Sequence, residues 1–282
     1  MTAPAQHRSD LTLFFTTTFL TTGTFWLTAI LLGGQATSPP TAIPYLLGGF
    51  GPAIGAIAVR LRRARHHQPV PAHTVRLRLS PRLLWVLPLL ALASATVVGA
   101  ALLAHLLGGP AVDLAAGRNL VATIGGPVPF IITMLIGGPL AEEPGWRGTA
   151  YPRLRASLGR LQTGLLLGAA WALWHLPLFF IPGTIQSQFG LISWSGLLFT
   201  VSVFPMAMLT GWAYERAGVA AAIAVHFGVN ATMALLTVNA PITQATIVAV
   251  QLIIVIALHA TYRDHRATSP ASHLNQPSRT AA

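Results

Sequence analysis

Two adjacent carboxylates stand in a run that is otherwise nearly apolar, Pro139-Leu140-Ala141-Glu142-Glu143-Pro144-Gly145-Trp146-Arg147-Gly148. Two histidines stand in further apolar runs: His175 in Trp171-Ala172-Leu173-Trp174-His175-Leu176-Pro177, and His226 in Val225-His226-Phe227-Gly228-Val229-Asn230. Each ionisable group inside an apolar segment is costly to keep there, which makes each a candidate for function. A carboxylate in low dielectric can take a proton from water, an imidazole can position that water, and an amide with a second imidazole can donate to a developing oxyanion. Such a set suits peptide hydrolysis. The same residue types leave other chemistry open. Glu142, His175 and His226 could hold Zn²⁺ with a water in the fourth position. A proton-coupled transporter would also keep ionisable groups at mid-depth, and a non-catalytic membrane scaffold or immunity-type binding protein could retain them as a buried polar network. The bland readings are an acid pair in a loop meeting an arginine, and histidines that bond between helices.

Local spacing organises these residues. Gly137-Gly138-Pro139 reads as a chain break followed by a helix start, placing the carboxylates in a first turn where the helix dipole favours them. Glu143 and Arg147 stand four apart and can pair on one helix face, which turns Glu142 elsewhere. His226 and Asn230 likewise share a face.

The elements that carry them are membrane spans. Of 282 residues, 53% are apolar and 8% charged, far below the charge of about 25% that water-soluble chains carry. Apolar runs of the length needed to cross about 30 Å of hydrocarbon fall near 11–32, 42–59, 83–107, 119–140, 161–181, 191–213, 219–238 and 242–262. The expected fold is all-α, a polytopic transmembrane helix bundle of about eight spans with a broken helix carrying the Glu-Glu-x-x-x-Arg stretch. A single integral membrane domain is expected over 1–266, with a disordered polar tail over 267–282. All 17 basic residues are arginine, and with eight spans only Arg118 falls on the side opposite the others. Cytoplasmic loops collect such residues, so both termini, and the opening of the site, are expected to be cytoplasmic. Counted at 1.5 Å per helical residue, Glu142 lies roughly 16 Å from Arg153, His175 roughly 21 Å from Arg160, and His226 and Asn230 roughly 15 and 21 Å from Arg216. All four reach a similar depth.

The charge of +11 has this membrane explanation, so no nucleic-acid partner is expected; the lipid bilayer is. With no cysteine, disulfides, thiolate zinc sites and cysteine nucleophiles are excluded. The first apolar run exceeds a signal-peptide core and lacks a small-residue cleavage site, so a retained span is expected. The loop from Arg60 to Arg82, with His66, His67 and His73, reads as a solvated arm, and the His66-His67 pair lacks a third ligand. The Gly48, Gly49, Gly51, Gly55 pattern predicts close packing against a neighbouring span. Trp26, Trp85, Trp194 and Trp212 read as interfacial anchors or packing. Abundant Ala, Gly and Arg without Lys suggests a GC-rich prokaryotic genome, and so a prokaryotic cell membrane. Oligomeric state is not encoded in any feature of the chain.

At these residues the sequence resembles the CAAX prenyl protease and bacteriocin-processing family of intramembrane proteases, also called the CPBP or ABI family. Its Glu-Glu-x-x-x-Arg motif is met by Glu142, Glu143 and Arg147, with Trp146 before and Gly148 after the arginine. Its Phe-x-x-x-His motif is met at His175 with Trp171 in place of the Phe, and its His with a polar residue four later is met by His226 and Asn230. Three ordered motifs on separate spans make the resemblance specific, and it covers roughly 119–240. It implies an intramembrane endopeptidase acting on membrane-associated proteins or peptides. Glu142 would activate the water with help from His175, His226 and Asn230 would form the oxyanion site, and Glu143 and Arg147 would organise the glutamate. Members were first described as metalloproteases, and a glutamate mechanism without bound metal is now favoured. The family handles prenylated C-terminal motifs in some lineages and other peptides elsewhere; the prokaryotic composition tilts the expectation away from a prenylated substrate.

Overall fold

The computed structural model describes residues 3–69 and 81–261. His73, Arg76 and Arg78 of the expected arm, and the 267–282 tail, lie outside the described residues. Those residues form helices and no strands: α1 (Ala3–Leu32), α2 (Ala42–Gly49), α3 (Gly51–Arg65), α4 (Val86–Leu106), α5 (Leu114–Thr123), α6 (Pro127–Ile136), α7 (Pro139–Gly145), α8 (Tyr151–Arg155), α9 (Arg160–His175), α10 (Ile185–Phe189), α11 (Trp194–Ala217), α12 (Val219–Leu235) and α13 (Pro241–Thr261). A polytopic helical bundle is therefore the fold.

Five helical segments are long and apolar enough to cross a membrane unaided: His7–Leu32, Pro81–Leu106, Arg160–Phe180, Trp194–Ala217 and Pro241–Thr261. Two more crossings are bent pairs, α2 with α3 at 50° and α5 with the stretch from Pro127 to Arg155 at 84°. The remaining apolar segment, α12, has 17 residues, about 25 Å at 1.5 Å per residue and short of a ~30 Å hydrocarbon core. The eight expected segments are thus five straight spans, two broken ones and a short helix. The sharper bend has a local cause. Gly125 and Gly126 adopt φ of +102° and +107°, a region glycine enters without penalty, and Pro127 then starts α6.

Small residues set the spacing of α1 against α2 and α3. A Cβ at Gly48 would strike the Trp26 ring, and at Gly51 and Gly55 the hydroxyls of Thr22 and Thr18. Thr22 Oγ1 donates to the Gly48 carbonyl at 2.8 Å, and Trp26 Nε1 to the Tyr45 carbonyl at 2.8 Å. The expected small-residue packing is therefore made against α1, and Trp26 is buried packing. α12 lies at the centre, against α4, α11, α7, α5 and α6.

Two ion-pair clusters gather arginines at one end of the bundle. Asp10 of α1 is buried and receives Arg62 and Arg63 of α3 and Arg153 of α8, the last two at 2.5 and 2.8 Å. Glu215 of α11 accepts from Arg155 and Arg160 at 2.9 and 2.6 Å and from the Tyr151 hydroxyl at 3.0 Å. Both acids stand on apolar helices, where their charge is met by arginines from neighbouring elements. Arg153, taken from the sequence as a surface marker of depth, is 3% exposed. Depth counted from it therefore has no surface reference.

Candidate active site

The carboxylates come from α7, a short helix started by Pro139 after Gly138. Pro144, the sixth residue of that helix, supplies no amide N–H to the helical ladder, and the chain continues as a π-helical turn over Trp146–Ala150 before α8. Proline and a widened turn together reorient the residues that follow them. Thr149 Oγ1 donates to the Pro144 carbonyl at 3.1 Å. Gly145 packs on the Pro52 backbone of α3, where a Cβ would not fit, so α7 is pressed into the bundle.

Glu142 and Glu143 then face different partners, as the four-residue spacing predicts. Arg147 Nη1 donates to Glu143 Oε1 at 3.1 Å, both side chains being fully buried. The same oxygen lies 2.8 Å from His226 Nδ1 of α12. Glu142, 5% exposed, receives Trp171 Nε1–H on Oε2 at 2.6 Å. Its other oxygen looks toward Gly138. The point where a Cβ of residue 138 would stand is 3.5 Å from Glu142 Oε1, 3.9 Å from Asn230 Nδ2 and 3.9 Å from His226 Nε2. A carboxylate, an imidazole and an amide thus surround one small space, kept open because residue 138 has no side chain.

His175 lies beside Trp171. It ends α9, where Pro177 tightens the chain into a 3₁₀ turn over Leu176–Phe180, and its Nδ1 is 2.8 Å from the Trp171 carbonyl. The ring packs edge-on against Trp174 and Phe199 and at a tilt 5.6 Å from Trp171. Trp171 also meets His226 edge-on at 5.2 Å and lies 4.3 Å beneath the Arg147 guanidinium. The structure therefore gathers Glu142, His226 and Asn230 around Gly138, holds Glu143 and Arg147 behind them, and sets His175 next to Trp171.

Sequence reasoning missed two of these residues. Trp171 stands in the sequence reading only as the residue in place of the motif's Phe, although a buried indole N–H needs an acceptor. Gly138 was read only as part of a chain break. Among the described residues, no three His, Cys, Asp or Glu side chains are grouped to hold a metal ion. A hollow of about 450 Å³ lined by Arg82, Tyr151, Arg155, Tyr214 and Glu215 contains none of these site residues.

Residues 124–232 match the family described as Type II CAAX prenyl endopeptidase Rce1-like. A relative named CAAX prenyl protease 2, from Methanococcus maripaludis, is 33% identical over 115 residues, which are 40% of this chain and 42% of that protein. The match thus spans less than half of either chain. Glu142, Glu143, Arg147, Trp171, His175, His226 and Asn230 all fall within 124–232, and the resemblance read from the three motifs is borne out.

Proposed function

We propose that this membrane protein, Rce1-like over residues 124–232, is an intramembrane endopeptidase that hydrolyses membrane-associated proteins or peptides with a glutamate-activated water. The observation that carries the reading is the convergence of Glu142 Oε1, His226 Nε2 and Asn230 Nδ2 on the space above Gly138. A water there is within reach of Glu142, which takes its proton as the water oxygen attacks the scissile carbonyl. The carbonyl oxygen becomes an oxyanion and accepts hydrogen bonds from Asn230 Nδ2 and His226 Nε2. Glu142 then returns the proton to the departing amine, and the peptide bond breaks.

His226 Nδ1 lies 2.8 Å from Glu143 Oε1, which holds the ring with Nε2 facing the space above Gly138. His175, its Nδ1–H given to the Trp171 carbonyl, keeps a free lone pair on Nε2. Its assigned role is to help orient the attacking water. The proposed chemistry uses protein groups and water alone.

The arginine-rich end defined by the Asp10 and Glu215 clusters is the cytoplasmic end in this reading. The relative's name points to prenylated C-terminal sequences as one substrate class. The test needs no prior substrate: terminus-selective mass spectrometry on membranes of cells carrying the wild type or Glu142→Gln at matched levels. New termini that vanish with the substitution support proteolysis and name substrates. Identical termini in both refute it.

A further inference from the structure

Trp171 touches four of the site residues. Its Nε1–H donates to Glu142 Oε2, its carbonyl faces His175 Nδ1, its ring edge meets His226, and its face underlies Arg147. It is 3% exposed, so the indole N–H has no water to fall back on, and a carboxylate acceptor makes a stronger hydrogen bond than a neutral one.

A carboxylate on a short helix can rotate about its last torsion, which is broad and roughly two-fold. Rotation would carry Oε1 away from the space above Gly138. The donor on Oε2 fixes that torsion, since one oxygen cannot leave the indole without the other leaving the space. We propose that Trp171 is a positioning residue for the proposed hydrolysis: its indole N–H holds the Glu142 carboxylate in the orientation that aims Oε1 at the attacking water. The inference rests on the endopeptidase reading, and it differs from space-filling because it assigns the effect to one N–H group.

Two replacements isolate that group. Trp171→Phe keeps an aromatic ring and removes the donor. The benzothiophene isostere of tryptophan, inserted at 171 by codon reassignment, keeps the full bicyclic shape and replaces N–H by sulfur. The assay uses the full-length protein in liposomes and a reporter peptide spanning a cleavage site found by the terminus comparison. Both replacements are expected to lower kcat about 10- to 100-fold, the range for losing a hydrogen bond to a charged group, with KM unchanged. They should also move the acid limb of the kcat profile to higher pH, because the donor favours the charged carboxylate. Glu143, Arg147 and His226, the other charged groups around Glu142, are left in place by both changes.

Phe slow but the isostere normal would mean that the ring merely fills space, and the proposal falls. Wild-type kcat and profile in both overturn it as well, while leaving the endopeptidase reading intact. A readout independent of cleavage separates the two further. In protein labelled with ¹⁵N at the indole nitrogens, the resonance lost in Trp171→Phe should shift upfield in Glu142→Ala. An unmoved resonance overturns the hydrogen bond whatever the protein hydrolyses.

Discussion

One oxygen of Glu143 meets two side chains: His226 Nδ1 is 2.8 Å from Oε1, and Arg147 Nη1 donates to the same atom at 3.1 Å. Glu143→Gln keeps the shape and removes the charge, which strands a fully buried guanidinium. The expected result is a loss of about 3–5 kcal/mol in stability, the cost of an uncompensated buried charge. It should be joined by a fall in kcat among molecules still folded, because His226 loses the charged partner that holds its ring in place. Equilibrium unfolding in mild detergent measures the first, and an undiminished transition midpoint would contradict the structural role.

Gly138→Ala adds one methyl group at the focus of the site. Its Cβ would lie 3.5 Å from Glu142 Oε1 and 3.9 Å from both His226 Nε2 and Asn230 Nδ2, ordinary contact distances that the fold accommodates. The methyl group would occupy the place assigned to water. Activity should drop at least about 10²-fold, the scale of losing general-base assistance, with thermal stability close to wild type. Retained cleavage at normal stability would place the reacting water elsewhere.

Asp10→Asn removes the buried carboxylate that Arg62, Arg63 and Arg153 share. Arg63 and Arg153 are buried as well, so stability should fall by about 3–5 kcal/mol. The kcat of the folded fraction should stay as it was, since Asp10 touches none of the proposed reacting groups. Comparing specific activity with folded fraction checks this; a loss of kcat at full folding would show that the cluster does more than hold α1, α3 and α8 together.

The absence of cysteine makes topology directly measurable. His66→Cys at the end of α3 and Leu107→Cys after α4 are both exposed positions, with the Pro81–Leu106 span between them. A membrane-impermeant maleimide should label the first from the cytoplasmic face and the second from the other face only. Labelling of both from one face would overturn the assignment of the arginine-rich end.

The sequence displayed the chemistry more openly than the architecture around it. Glu143 and Arg147 were readable as a pair because four-residue spacing on a helix leaves little choice, and His226 with Asn230 for the same reason. The break at Gly137-Gly138-Pro139 was visible because few residue types make such turns. Asp10 was hidden, because its partners lie 52, 53 and 143 residues away and no local pattern signals a long-range ion pair. The bond from Trp171 to Glu142 was hidden in the same way, joining α9 to α7 across 29 residues. That α12 is shorter than a full span also escaped notice, because an apolar run does not announce where its hydrogen-bonded helix will end.

That shortness bears on how the site is wetted. His226 is the eighth residue of a 17-residue helix, so about 10 Å of helix separates it from the start of α12. A helix spanning the full hydrocarbon layer would hold its midpoint about 15 Å from either surface. Wrapped by α4, α5, α6, α7 and α11, α12 has protein where a lipid-facing span would need more apolar length. The proposed hydrolysis consumes one water for every bond cut, and His226 stands only about 10 Å along α12 from one end of that helix.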